Sequence, residues 1–195
     1  MTTTSDFGAS ERGLASASRV ERFVREIIFP YEHHPRVGRQ GPSGDLVREM
    51  REHTCAAGLL TPNILPEGTH LTQVETALVL RRSGLPPLGP VALNTAAPDE
   101  GNMFLLGKIA TSRQRDRFLA PLHAGVARSA FFMTEPAATG GAGSDPSMLQ
   151  TRAVRSGEHW VINGRKAFIT GVDGASVGIV IARTGDGEKA EATCS

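Results

Sequence analysis

Ser129-Ala-Phe-Phe-Met-Thr134 is the stretch at which the sequence changes from one periodicity to another. Its aromatic and apolar side chains favour a β-strand. Upstream, between Ser18 and Gly125, apolar residues recur at helical spacing, whereas downstream short apolar runs alternate with loops rich in Gly, Pro and Ser. A helical half followed by a strand half predicts an α+β protein and argues against the βαβ alternation of a Rossmann fold.

Five helices are predicted in the first half, over residues 18–30, 43–58, 72–84, 100–110 and 112–124. Three of them begin at a capping box, in which a Ser or Thr hydroxyl and a Glu or Gln side chain satisfy free backbone N–H groups. The capping pairs are Ser18 with Glu21, Thr72 with Glu75, and Thr111 with Gln114. Because the connections are short, the helices are expected to form an antiparallel bundle.

Antiparallel strands are expected in the second half. Asn163-Gly164, between the apolar runs 159–162 and 165–170, is a strong hairpin signal because a type I′ turn needs positive φ at both central positions. Residues 177–182 read as a further strand. The sequence stops at Ser195 in what reads as the start of another strand, and this would leave an unpaired sheet edge. A truncated antiparallel β-domain is therefore predicted.

These boundaries divide the chain into three predicted segments. Residues 1–15, rich in Ser, Thr, Ala and Gly, are expected to be a disordered leader. Residues 16–127 form the predicted helical domain, and residues 128–195 form the predicted, incomplete β-domain.

Composition limits the classes of function. With 195 residues, 39% hydrophobic and 21% charged, the chain is typical of soluble globular proteins, and a net charge of +1 argues against nucleic-acid binding. No stretch approaches the roughly 20 apolar residues of a membrane span. The leader lacks the apolar core of a signal peptide, and Cys55 and Cys194 read as free thiols, so a cytoplasmic location is expected. His33 and His34 lack a third ligand at metal-like spacing, so no metal site is predicted.

A series of ordered motifs carries a resemblance to a known family. They are Asn94-Thr-Ala-Ala-Pro-Asp-Glu-Gly-Asn-Met103, Gln114-Arg-Asp-Arg-Phe-Leu-Ala-Pro-Leu-His-Ala-Gly125, Phe131-Phe-Met-Thr-Glu-Pro136, Gly143-Ser-Asp145, Trp160-Val-Ile-Asn-Gly164, Lys166-Ala-Phe-Ile-Thr170 and Ala182-Arg-Thr184. In their order and separations they resemble the helical domain and the middle domain of the acyl-CoA dehydrogenase family. The resemblance covers about residues 16–195.

The resemblance implies an FAD-dependent oxidoreductase of fatty acid metabolism, acting in β-oxidation. Family members take a proton from Cα of an acyl-CoA thioester and pass a hydride from Cβ to N5 of FAD, which gives a 2-enoyl-CoA. Electrons leave through an electron-transfer flavoprotein, and complete members are expected to be homo-oligomers, as dimers or tetramers. The protein positions the flavin and tunes its charge.

The resemblance also assigns candidate residues on the near side of the flavin. Phe131, Met133 and Thr134 correspond to the strand that contacts the pyrimidine edge of the ring, where donors stabilise negative charge on the reduced flavin. Gly143 and Ser144 correspond to contacts with the FAD pyrophosphate. Ser144 also matches a position beside the thioester arm of CoA, so it is a candidate substrate-binding residue.

Behind the ring, the resemblance assigns Phe168, Ile169 and Thr170. Phe168 stands where the family often has Trp, and Thr170 matches a hydroxyl that bonds near N5. The chain departs from the family in the loop before Ser144, where residues 137–142 are six residues in place of about two. The extra residues either loop out or displace Ser144, and looping out is favoured.

No catalytic residue is predicted within the chain. The family's general base is a Glu of the C-terminal domain, which is expected to be missing here, and Glu135 is expected to be structural. The 195-residue chain is therefore predicted to be an inactive fragment. Two alternatives remain open: a flavin monooxygenase or oxidase of the same fold, and a non-catalytic module that binds a protein partner.

Overall fold

The structure is a computed structural model that describes residues 8–39, 41–65, 69–137 and 143–185. It divides into two compact units. The first holds the chain up to Ala96 together with His123–Gly125, and the second holds Ala97–Leu122 and the chain from Val126 onward. In the described ranges, no helix combines the length and apolar character needed to cross a bilayer. The domain boundary expected after residue 127 stays a prediction.

The first unit is built mainly from helices. Its elements are α1 (Glu11–Phe23), a π-helical turn (Val24–Ile28), a 3-10 turn (Phe29–His33), β1 (Val37–Gly38), β2 (Gly41–Pro42), α2 (Gly44–Ala56), α3 (Gln73–Ser83) and α4 (Gly89–Ala92). Helices α2 and α3 begin at the predicted N-caps, Ser43 and Thr72. Side chains at helical spacing on α1, α2 and α3 form the core, which includes Ala17, Val20, Phe23, Leu46, Met50, Leu78 and Val79.

The first helix begins earlier than predicted. Its N-cap is Ser10, whose hydroxyl accepts a hydrogen bond from the N–H of Gly13 at 3.2 Å. Ser18, the predicted cap, therefore lies inside α1. Residues 11–15 are helical and not part of a disordered leader, while residues 1–7 lie outside the described residues.

One carboxylate joins the starts of α1 and α3. Glu75 completes the predicted capping box of α3, because its Oε2 accepts hydrogen bonds from the backbone N–H of Thr72 at 3.0 Å and from the Thr72 hydroxyl at 2.8 Å. Its Oε1 accepts from the N–H of Ser10 at 3.3 Å and from the Ser10 hydroxyl. A Cβ on Gly13 would collide with the Glu75 side chain, so glycine permits this close approach.

The second unit is mixed α and β. Its elements are α5 (Asp99–Ile109), α6 (Ser112–Gln114), a π-helical turn (Arg115–Leu119), α7 (Ala120–His123, of which His123 belongs to the first unit), β3 (Ser129–Phe132), a 3-10 turn (Pro146–Met148), β4 (Arg152–Ser156), β5 (His159–Asn163) and β6 (Val177–Val180). The predicted capping box of Thr111 and Gln114 starts α6. Gly125, with φ of +67°, follows α7 as the predicted stop.

The pairing of the strands differs from the fully antiparallel sheet that the sequence predicts. β3 and β6 pair in parallel, with Ser129 opposite Val177 and Phe132 opposite Val180. β4 and β5 form a separate antiparallel hairpin. Because this hairpin lies within the crossover from β3 to β6, the two outer strands can run in the same direction.

The predicted turn at Asn163-Gly164 is also wrong. The hairpin turns at Gly157, where φ is +62°, and β5 ends at Asn163. Neither Asn163 nor Gly164 has positive φ, and residues 165–170 form no strand ladder. A Cβ on Gly164 would meet the side chain of Thr151, so this glycine allows close packing rather than a tight turn.

Helix α5 is fixed to the start of β3 by buried polar groups. Asp99 Oδ1 accepts hydrogen bonds from the backbone N–H and from the hydroxyl of Ser129, both at 2.6 Å. Asn102 Nδ2 donates to the same Ser129 hydroxyl at 2.9 Å. All three residues are buried, so each bond satisfies a group that water cannot reach.

The carboxylate of Glu75 makes the stability of the first unit depend on pH. Hydrogen bonds from Ser10 and Thr72 hold the pKa of Glu75 at about 2, below its ordinary 4.5. A lowered folded-state pKa contributes stability that is present above pH 4.5 and is lost as pH falls toward 2. We therefore expect Glu75→Gln to lower the free energy of unfolding near neutral pH, and we expect this difference to shrink below pH 4.5. Urea titrations of both proteins across this range measure it, and a difference that stays constant contradicts the assignment.

Candidate functional site

Two of the segments assigned from the resemblance lie side by side in the second unit. The N–H of Ala167 donates to the carbonyl oxygen of Thr134 at 3.0 Å. The ammonium group of Lys166 donates to the carbonyl oxygen of Met133 at 2.9 Å. These bonds bring residues 131–134 next to residues 166–170, and we call the two segments together the candidate wall.

The second segment of the candidate wall is bonded to the first at one end and passes close to the start of β3 at the other. Ala167 lies beside Thr134, past the end of β3, while a Cβ on Gly171 would lie 3.3 Å from the carbonyl oxygen of Ser129, at the start of the strand. Gly171 has φ of +76°, which turns the chain away at this point. Residues 166–171 therefore run antiparallel to β3 without forming a ladder with it.

Phe168 carries the most unusual backbone of the candidate wall. Its φ is +57°, which is rare for a bulky residue. Its side chain is 90% exposed, so no packing inside the described residues explains the conformation. Strained positions of this kind are concentrated at ligand-binding sites. Phe168 presents a free aromatic face beside the first segment.

Polar groups flank this aromatic residue. The hydroxyls of Thr134 and Thr170 make no hydrogen bond to other residues in the described part of the chain. Thr170 is exposed, while Phe131, Met133, Thr134 and Ile169 are half-buried. An aromatic face with nearby hydroxyl donors suits a flat heteroaromatic ligand.

The third assigned segment returns to the first. The N–H of Glu135 donates to the carbonyl oxygen of Gly143 at 3.0 Å, and Gly143 has φ of +62°. Ser144 is exposed directly after this contact. Residues 138–142, most of the predicted insertion, lie outside the described residues. Because Gly143 bonds to Glu135, which follows Thr134, Ser144 lies close to the candidate wall. That the insertion loops out stays a prediction.

Glu135 is a buried structural carboxylate, only 2% exposed. Burial opposes its ionisation, but hydrogen bonds from Thr151, Gln150 and Lys166 outweigh this and hold its pKa at about 2. A general base must reach its substrate and must have a pKa near the working pH. Glu135 meets neither condition, which supports the structural role predicted for it.

Lys166 is the residue of this site to which sequence reasoning assigned no role. It stands in the motif Lys166-Ala-Phe-Ile-Thr170, as the one charged residue before three assigned positions. Its side chain is only 8% exposed, and it pairs with Glu135 at 3.1 Å. The sequence does contain a signal for this pair, because one assigned motif carries a negative charge, Glu135, and the other carries a positive charge, Lys166.

Comparisons with known proteins agree with this geometry. Residues 130–195 match the profile of the acyl-CoA dehydrogenase middle domain. The chain is 35% identical over 175 residues to a Mycobacterium tuberculosis protein named as a probable acyl-CoA dehydrogenase, FadE2, and the match covers 85% of this chain and 42% of that protein.

Solved structures of acyl-CoA dehydrogenases also resemble this chain. One from Mycobacterium abscessus, described as a candidate acyl-CoA dehydrogenase, superposes with a TM-score of 0.75 at 30% identity and covers 91% of this chain and 47% of its own. A glutaryl-CoA dehydrogenase from Mycobacterium smegmatis, in complex with FADH2, superposes with a TM-score of 0.67 at 25% identity and covers 91% and 44%.

These matches identify the chain as a member of the acyl-CoA dehydrogenase family. The proteins it resembles are dehydrogenases by name, and the one from Mycobacterium smegmatis is a flavoprotein complex. The chain spans less than half the length of each of these relatives.

The backbone of Phe168 gives a prediction about stability. A left-handed conformation costs an L-residue roughly 1–2 kcal/mol, whereas glycine adopts it freely but loses more entropy on folding. We expect Phe168→Gly to raise the free energy of unfolding by about 0.5–1 kcal/mol. Phe168→Ala is the matched control, because it removes the ring and keeps the backbone penalty. Denaturant titrations in which both variants have the same stability contradict the assignment of strain.

Proposed function

We propose that this chain supplies one wall of an FAD site and takes part in the α,β-dehydrogenation of an acyl-CoA thioester. The hydrogen bond between Ala167 and Thr134 carries the proposal, because it joins the two flavin-contacting motifs of the family into one surface. The glutaryl-CoA dehydrogenase bound to FADH2, which this chain resembles, supports the choice of cofactor.

The described residues fit a flavin. Bound FAD would supply the acceptor for a hydride from Cβ of the acyl chain, while a base would remove the proton from Cα. Phe131, Met133 and Thr134 would hold the pyrimidine edge, where the Thr134 hydroxyl is available to donate a hydrogen bond. Donors at this edge stabilise the negative charge of the reduced ring in a site with little water.

The second segment covers the far face of the ring. Phe168, with its exposed side chain, and Ile169 would contribute the apolar surface against the isoalloxazine. The hydroxyl of Thr170 would be the donor near N5. Because Phe is smaller than Trp, this face covers less of the flavin than in family members that have Trp.

Gly143 and Ser144 hold the phosphate end of the cofactor. Gly143 has positive φ, which brings the backbone close to a ligand without a side chain in the way. The N–H and hydroxyl of Ser144 would donate to the pyrophosphate, and the hydroxyl would also serve the thioester arm of CoA. Ser144 is exposed, as these roles require.

The general base is not among the residues assigned to this chain. In the family it is a Glu outside the helical and middle domains, and the carboxylate nearest the candidate wall, Glu135, is committed to structural hydrogen bonds. Loss of a general base typically lowers the rate by about 10²–10⁴. We therefore expect the 195 residues alone to show no detectable dehydrogenation, and we expect full activity to involve an electron-transfer flavoprotein and a homo-oligomer.

Flavin binding tests the cofactor assignment. We expect the 195-residue chain to bind FAD weakly, with a dissociation constant on the order of 10–100 µM, because it supplies only part of the site. Phe168→Ala should weaken binding by about five- to tenfold through loss of the stacking face. Val154→Ala, an exposed substitution on β4, is the control and should leave affinity unchanged. Fluorescence anisotropy of FAD measures the three constants, and equal affinities for all three proteins count against the wall.

A turnover assay tests whether the 195-residue chain is active by itself. With FAD and a panel of acyl-CoA thioesters, we expect no 2-enoyl-CoA above background from the chain alone, whether the acceptor is oxygen or an electron-transfer flavoprotein. Chromatography of the CoA products measures this. Turnover with the electron-transfer flavoprotein contradicts the predicted inactivity, and oxygen-dependent turnover favours the monooxygenase or oxidase alternative.

A further inference from the structure

Glu135 and Lys166 form an ion pair inside the second unit, next to both segments of the candidate wall. We propose that this pair is a positioning device that fixes the separation of the two segments and thereby the affinity for the flavin. The inference rests on the proposed flavin function and assigns roles to two residues that do not contact the ligand.

Lys166 bridges the two segments directly. Its ammonium nitrogen donates to the Met133 carbonyl at 2.9 Å and to Glu135 Oε1 at 3.1 Å. One residue further on, the N–H of Ala167 donates to the Thr134 carbonyl at 3.0 Å. Two successive carbonyls of the first segment are thus bonded to two successive residues of the second. The first of these bonds depends on a side chain, so substitution can remove it without altering the backbone.

Glu135 fixes the other end of the bridge. Its Oε1 accepts from the N–H of Thr151 at 2.8 Å and from the Thr151 hydroxyl at 2.5 Å, and its Oε2 accepts from the N–H of Gln150 at 2.7 Å. With Lys166, these donors surround the carboxylate on both oxygens. The ammonium group therefore has a fixed position, set by the backbone just before β4.

The geometry of the bonds argues for positioning more than for stability. A buried ion pair is often no more stabilising than apolar residues of the same volume, because both ions lose their hydration. What the pair provides is a defined position for the groups it joins, since each hydrogen bond has a preferred length and angle. Binding sites must be held within about 0.5 Å of the productive arrangement. A bridge that ends on the Met133 carbonyl, inside the candidate wall, meets that need.

Glycine permits the approach that the bridge requires. A Cβ on Gly164 would collide with Thr151, the residue that donates twice to Glu135. The chain leading to Lys166 therefore passes against the same backbone that holds the carboxylate. Glu135, Thr151 and Lys166 form one compact frame behind the candidate wall.

The test compares Lys166→Met with Lys166→Arg and with Leu106→Ala. Methionine keeps much of the volume of lysine and removes the donors, whereas arginine keeps a charged donor for the Met133 carbonyl and for Glu135. Leu106 is buried in α5, lies outside the wall, and controls for a general loss of stability. FAD affinity, the visible circular dichroism of the bound flavin and the urea midpoint are measured for each protein.

We expect Lys166→Met to weaken FAD binding by about tenfold or more and to alter the flavin dichroism. Lys166→Arg should recover part of both, and Leu106→Ala should stay within about twofold of the unmodified chain. If Lys166→Met does not fold, Glu135→Gln with Lys166→Met replaces it, because this double variant buries no unpaired charge.

Three outcomes overturn the inference in distinguishable ways. If the unmodified chain binds FAD and Lys166→Met, or the double variant in its place, binds it equally well with the same dichroism, the positioning role is wrong and the flavin function stands. If Leu106→Ala loses affinity as much as the Lys166 variant, the pair acts only through stability. If the unmodified chain binds no FAD, the proposed flavin function fails and the positioning role fails with it.

Discussion

The buried carboxylate of Glu135 is the constraint on which the second unit depends. A charge that is 2% exposed cannot be solvated by water, so the chain must bring donors to it. Those donors come from the residues just before β4 and from Lys166. Because these groups are up to 31 residues from Glu135 in sequence, satisfying one carboxylate determines how three separate parts of the chain meet.

The sequence was sufficient wherever the determining contact is local. The caps of α2, α3 and α6 were correctly predicted, because Ser43, Thr72 and Thr111 bond to backbone only three residues away. The start of α1 was missed because its capping box is not local: Ser10 accepts from Gly13 three residues away, but Gly13 has no side chain to return the bond. Glu75, 65 residues distant, accepts from the N–H of Ser10 instead. A long-range partner of this kind leaves no local pattern in the sequence.

The same distinction separates the correct and incorrect predictions in the second unit. Ser129–Phe132 and Val177–Val180 are strands, as their apolar runs indicate. Their parallel pairing, however, depends on the β4–β5 hairpin lying in the crossover that connects them. The predicted turn at Asn163-Gly164 was wrong because Gly164 is needed for close packing against the side chain of Thr151 and not for a turn. The family resemblance named the segments of the candidate wall, whereas their adjacency and the backbone of Phe168 are visible only in three dimensions.

The strain at Phe168 follows from how its segment is held. A residue keeps an unfavourable φ only when its surroundings leave it no alternative. On one side, Lys166 and Ala167 are bonded to the first segment; on the other, Gly171 turns against the carbonyl of Ser129. Ser129 is itself fixed by Asp99 on α5. Before the exposed ring, the segment is thus anchored by the buried pair of Glu135 and Lys166. After the ring, it passes close to Ser129, which Asp99 holds. Hydrogen bonds before the ring, rather than packing around it, therefore fix the backbone of a surface that we propose holds a flat ligand.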